Sequence, residues 1–301
     1  MSRQPPIRNA LALLAMALAF TVSAYAEASR TFVSTTGNDS NIDVNCSASA
    51  SCRTFAAALS VTTTGGEIVV LDSGGYGRAT IIRSVVIAAI GIDASISTTI
   101  SNANGLAIDT PGNVTIIGLS LHGEATGADG IVVGEVGFLR LYNMLIENFK
   151  NCGVDFTVAG NLAIYNSVIN DNGNAGLQLA NASAVAFVQG TSFEHNFNGV
   201  DAGPGQATIV DSSAESNTNY AFGTQASGGI VTLVNDSVMS NVTGLVATSG
   251  GTLYFVNSSI TGNNVAYDAT GGTMAGSNPG TSFIAPGQGV SGTLSTAIAL
   301  Q

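Results

Sequence analysis

Tryptophan is absent from this 301-residue chain, and 12 phenylalanines and 7 tyrosines leave few aromatic faces for sugar rings to stack on. A strong processive grip on a glycan usually draws on more. Basic residues are scarce too: 8 Lys and Arg stand against 19 Asp and Glu, a formal net charge of −11. That balance excludes nucleic acid, whose binding rests on clustered cations, and it excludes an anionic membrane surface for the same reason. A direct grip on an acidic polysaccharide is weakened, although a divalent cation such as calcium can bridge two anions. The 3 cysteines and 2 histidines do not have the spacing of a zinc site.

The first 26 residues read as an export leader. Arg3 and Arg8 precede the apolar run "ALALLAMALAF", and Ala24 and Ala26 form a small-residue cleavage site before Glu27. The run falls short of the roughly 20 apolar residues that cross a bilayer, and no later segment reaches them. The mature chain is therefore expected in the periplasm, at the cell surface or secreted, with no membrane insertion. Cleavage removes two arginines and no acid, which takes the net charge from −11 to −13. In an exported chain Cys46 and Cys52, in "CSASASC", are expected to form a local disulfide. Cys152, beside Gly153, reads as a small buried hydrophobe.

Glycine is plentiful at 37 residues, and it marks a repeat. Small residues at Gly130, Gly153, Gly176, Gly199, Ala221, Gly244 and Ala266 are separated by steps of 23, 23, 23, 22, 23 and 22. After each anchor the apolar residues alternate with period two, as on a strand with one buried face. Val154 with Phe156 and Leu177 with Leu179 are expected inside. A second alternating stretch places Leu162 with Ile164, Val185 with Phe187, Val231 with Leu233, and Leu253 with Phe255 inside. A third, short segment contributes one inward residue per unit: Ile146, Ile169, Phe193, Ala214, Val238 and Ile260. Three short strands per unit exclude a helical-hairpin repeat and fit one coil of a single-stranded parallel β-helix, an all-β solenoid. Stacked coils lie about 4.8 Å apart. Asn172, Asn196, Asn217, Asn241 and Asn263 then fall in one column, where each amide is placed to bond its neighbours as a structural ladder.

With the less regular units upstream, roughly nine coils result. The expected organisation is a leader at 1–26, an N-terminal strand, Cys loop and capping helix at 27–66, the parallel β-helix at 67–270, and a C-terminal cap or tail at 271–301. Phe55, Ala58 and Leu59 form the buried stripe of the capping helix, and Gly65 and Gly66 supply its stop.

The stack resembles the right-handed parallel β-helix of the pectin-lyase-like superfamily. The start, "RTFVSTTGNDSN" with "CSASASCRTFAAAL" and "GGEIVVLDSGGYG", is similar to exported bacterial right-handed β-helix repeat proteins of undefined function. The resemblance covers residues 30 to about 265, and it implies both the right hand and an association with carbohydrate. The superfamily's polygalacturonases use Asn-Thr-Asp, Asp-Asp, Gly-His-Gly and Arg-Ile-Lys strings, none of which occurs here. Its pectate lyases pair acidic calcium ligands with an arginine base, whereas Arg140 and Lys150 are the two basic residues on the regular coils.

The strongest outward constellation gathers Asp171, Glu194, His195 and Glu215 on successive coils. Carboxylates about 5 Å apart suit a retaining glycosidase or a cation, and His195 suits proton transfer. Ordinary solvated surface is the competing reading. A weaker set is Asp155, Gln178 and Asp201. Tyr142, Tyr165 and Tyr254 are candidate sugar platforms, and His122 reads as a loop residue. Two functions remain open. One is a non-catalytic polysaccharide-binding or envelope-associated module that requires no cofactor, with calcium possible. The other is a polysaccharide lyase, glycoside hydrolase or epimerase acting through the acidic patch. The repeat specifies no oligomeric state.

Overall fold

Alternation in each unit becomes three short strands, and the strands of successive units pair in parallel. The computed structural model describes residues 27–277 and 282–298, so the expected leader at 1–26 lies outside the described residues. A first stack is built from strands such as Val154–Phe156, Ala175–Leu179 and Asn198–Asp201. A second contains Gly160–Tyr165, Ala184–Gln189 and Gln206–Val210. The third contains Val168–Asn170, Ser192–Glu194 and Ser213–Glu215, and it has 10 strands in all. The solenoid thus makes about ten turns, one more than the spacing predicts.

The interior is a column of apolar side chains from all three stacks. Val154 pairs with Leu177, Leu177 with Val200 and Val200 with Phe222, and all four are fully buried. Each such side chain contributes about 1.5–3 kcal/mol of burial. The small anchor is a packing requirement: a Cβ added at Gly153 would stand 2.4 Å from Ile169 Cγ2 and 2.8 Å from the Gly176 carbonyl oxygen.

Two corners fix the polar part of the repeat. Between the second and third stacks, Asn143, Asn166, Asp211, Asn235 and Asn257 take φ between 49° and 62°. After the third stack, Asn148, Asp171, His195, Ser216 and Ser240 take φ between 53° and 61°. This left-handed region is where Asn, Asp and His are enriched among residues with a side chain. The first asparagine of "NSVINDN" therefore turns a corner, and Asn172, its last residue, lies in the buried ladder.

One coil departs from the expected phase. Leu162 pairs with Ala186 and Ile164 with Val188, so Ala184, Ala186 and Val188 point inward. Val185 is 44% exposed, and Phe187 is half-buried on the outer face. The expected burial of Val185 and Phe187 is overturned. The run "AVAFV" is apolar in both phases, so alternation alone cannot choose between them. A one-residue slip in the preceding turn sends every side chain to the other face.

The ends also differ in detail. The small helix α1, Phe55–Val61, is capped by Thr54, whose side chain accepts from the Ala57 N–H, and it buries Phe55, Ala58, Leu59 and Val61. It stops at the extended Thr62, before Gly65, because the chain enters the strand Thr62–Val70 there. Cys46 and Cys52 are disulfide-bonded in the loop that precedes it. At the other end, Val265–Ser277 and Gly289–Ile298 still pair in parallel, so the solenoid continues beyond residue 270.

Candidate functional site

The acidic patch lies where the third stack turns toward the first. Glu194 and Glu215 pair directly in register, point outward and are half-buried. Asp171 and His195 occupy the left-handed corner and are exposed. Ser192 donates to Glu194 Oε1, and the Asn170 amide donates to Asp171 Oδ2 at 2.9 Å. The four side chains thus share a region, with two of them serving a backbone corner. The column continues further than the sequence indicated: Asn170 pairs with Glu147 and Glu147 with His122. His122 ends the strand Leu119–His122, and its Nδ1 stands 2.9 Å from Glu147 Oε1, so it is a strand residue rather than a loop residue. Among the described residues no three His, Cys, Asp or Glu side chains converge to hold a metal ion.

Tyr142 and Tyr165 pair in the second stack, and their rings stack at 4.9 Å and 8°. One face of each ring is covered by the other. Phe187 continues the aromatic run at 5.9 Å from Tyr165. Tyr254 lies apart, reached from Phe187 through Thr208 and Thr232.

The first stack carries a second polar surface. Asp155 pairs with Gln178 and Gln178 with Asp201, forming one outward column. Burial pushes the Asp155 carboxyl up to about 6, and nearby Asp129 adds in the same direction. Burial also raises Asp201, which shares a hydrogen bond with Tyr220. Burial raises the Cys152 thiol to about 12, and the Gln178 side-chain oxygen stands 3.2 Å from its sulfur, so this cysteine is a packed, protonated group. Shifted carboxylates on one surface are a common mark of functional sites.

Toward the N-terminal end this surface opens into a cleft of ≈ 490 Å³. It is lined by small side chains, Ala56 of α1, Ala79, Thr80, Ala103 and Ala107, together with Arg78, Asn102 and Asn104. Thr80 pairs with Ala107, and through Val132 the same column reaches Asp155. Lys150 Nζ donates to Asn102 Oδ1 at 3.2 Å, so two of the chain's few cations stand at this cleft. Asn104 Oδ1 accepts from the Asp129 N–H. Arg78, Asn102 and Asn104 do not stand out in the sequence, because they lie in the irregular units before Gly130. The one available signal was the longer unit from Gly105 to Gly130, which marks a departure from uniform coils.

The chain matches the right handed beta helix region family over residues 63–207 and again over 105–265. No protein of curated function matches it in sequence. Among solved structures, a pectate lyase, Pel9A, is 14% identical, with a TM-score of 0.50, covering 91% of this chain and 79% of its own. The A-module of the Azotobacter vinelandii mannuronan C-5 epimerase AlgE4 is 13% identical, with a TM-score of 0.46, covering 78% of this chain and 89% of that one. At these identities the likeness to solved structures speaks to fold alone. The family match spans more than half of the chain and agrees with the parallel stacks and their inward columns: this protein belongs to the right-handed β-helix region family.

Proposed function

We propose that the protein is a non-catalytic polysaccharide-binding β-helix acting outside the cytoplasm, in the periplasm, at the cell surface or secreted, with the glycan laid along the first stack from the Arg78 cleft. The observation that carries this reading is the cleft itself, lined by alanine and threonine together with two asparagine amides and a guanidinium. Small lining residues let a sugar ring approach the sheet closely, and amides, guanidinium and carboxylates supply the donors and acceptors that hydroxyl groups need. The column from Thr80 to Asp201 extends the contact coil by coil, which suits an extended chain. This binding requires no cofactor, and calcium enters as a bridge between the protein's carboxylates and an acidic glycan. Exposure of Asp171 and His195 on a corner leaves them open to water, which supports assigning the acidic patch to surface rather than to catalysis.

Titration calorimetry of the mature protein against pectins, alginates and neutral glycans tests the proposal. At least one glycan is expected to bind, and Arg78→Ala combined with Asn104→Ala is expected to weaken that binding tenfold or more with an unchanged far-ultraviolet spectrum. Binding that survives both substitutions would place the glycan elsewhere.

A further inference from the structure

The outer face of the second stack is apolar, flat and almost without charge, although the chain as a whole is strongly acidic. From Gly160–Tyr165 to Thr252–Val256, none of the outward residues is charged. Exposed Val185 and half-buried Phe187, Val210, Val234, Tyr254 and Val256 make up much of the face, with threonine, glutamine and Asn161 between them. One coil earlier, Arg140 lies over the Phe138 ring at 3.7 Å. On the regular coils the outward acids lie mainly on the other two faces, Asp155 and Asp201 on the first stack and Glu194 and Glu215 on the third. Asp211 stands at the corner beside this face, accepting from Gln189, and Glu67 lies on the same stack near its N-terminal end, paired with Arg30.

We propose that this face is the interface of a symmetric homodimer, in which two solenoids pack second stack against second stack. Two arguments select a second copy as the occupant. Acidic chains repel, so two copies approach most easily through the face whose seven regular strands carry no acid and the single cation Arg140. The size is also sufficient. The seven strands from Asn113–Ile117 to Thr252–Val256, at about 4.8 Å per coil and ~17 Å per strand, give roughly 570 Å² on each copy. The pair then buries more than the ~1,000 Å² that a specific interface needs. A two-fold axis through a flat sheet makes one patch serve both subunits and closes the assembly at two. Sheets packed in this way sit about 10 Å apart. The Arg78 cleft, on the first stack, is not part of this face.

Multi-angle light scattering of the mature protein at micromolar concentration tests the inference. The expected mass is that of two chains. Val210→Lys with Val234→Lys, both on the outward side, is expected to give one chain with unchanged circular dichroism, while Thr218→Lys, exposed at a turn away from the face, keeps two. A single-chain mass for the unsubstituted protein overturns the inference, as does a double-lysine variant that stays dimeric. An unsubstituted protein of single-chain mass whose lysine variant loses glycan binding would assign the face to glycan, and that result too overturns it.

Discussion

Asn172 gives two hydrogen bonds to the same atom of the next coil: its backbone N–H and its side-chain amide both donate to Asn196 Oδ1, at 3.0 and 2.9 Å. The pattern recurs as Asn217 donates twice to Asn241 and Asn241 twice to Asn263, and it ends when Asn263 donates twice to Gln288 Oε1. Every oxygen in the column thus locks the register of the coil before it.

Asn217→Leu is expected to cost about 2–4 kcal/mol. It leaves the Asn196 N–H and the Phe193 carbonyl without their side-chain partner inside the core, and each unmet buried group costs about 1–3 kcal/mol. Urea unfolding followed by circular dichroism measures the loss, and a change below ~0.5 kcal/mol would show that the column is dispensable.

A second column runs beside the first corner. The Ser167, Thr191, Ser212 and Ser258 hydroxyls each donate to the carbonyl two residues back. Asp236 takes the same place and accepts instead from the Ser212 and Val234 N–H groups, both at 2.8 Å. Burial pushes this carboxyl from 3.8 up to about 7, and Asp211 adds to the rise. Between those values the folded chain holds a proton that the unfolded chain has lost, so stability falls as pH climbs from about 4 to about 7. Asp236→Ser, which restores the hydroxyl, is expected to raise the melting temperature at about pH 8 by an amount that vanishes near pH 4. An equal difference at both pH values would contradict the titration.

The corrected phase of the Ala184–Gln189 strand has a direct check. Ala186→Asp places a charge in the core and is expected to cost several kcal/mol. Val185→Asp faces water, and at a concentration low enough to keep the chain monomeric its cost is expected to stay within ~0.5 kcal/mol. Reversed costs would restore the phase that alternation favoured.

The period was legible because three stacks each demand one inward residue per coil, and Ile146, Ile169 and Phe193 meet that demand at steps of 23 and 24. The phase at Val185 was not legible, since both faces of that strand are apolar and pairing decides between them. The corners account for the residue types at Asp171 and His195: both suit a left-handed backbone, a structural pressure that mimics a polar site. The hydroxyl column was hidden in ordinary dipeptides such as Asn166-Ser167 and Asn257-Ser258, where nothing in the composition separates a buried serine from a solvated one. The Arg78 cleft arises from chain segments that meet through stacking alone.

The proposed binding without turnover is tested most directly by holding residues 27–301 with pectins, alginates and neutral glycans, with and without calcium, while following new reducing ends and the ultraviolet absorbance of unsaturated products. The expected result is retention of glycan with no product in either condition. Product formation that disappears in Glu194→Gln would contradict the account and make the patch of Asp171, Glu194, His195 and Glu215 an active site.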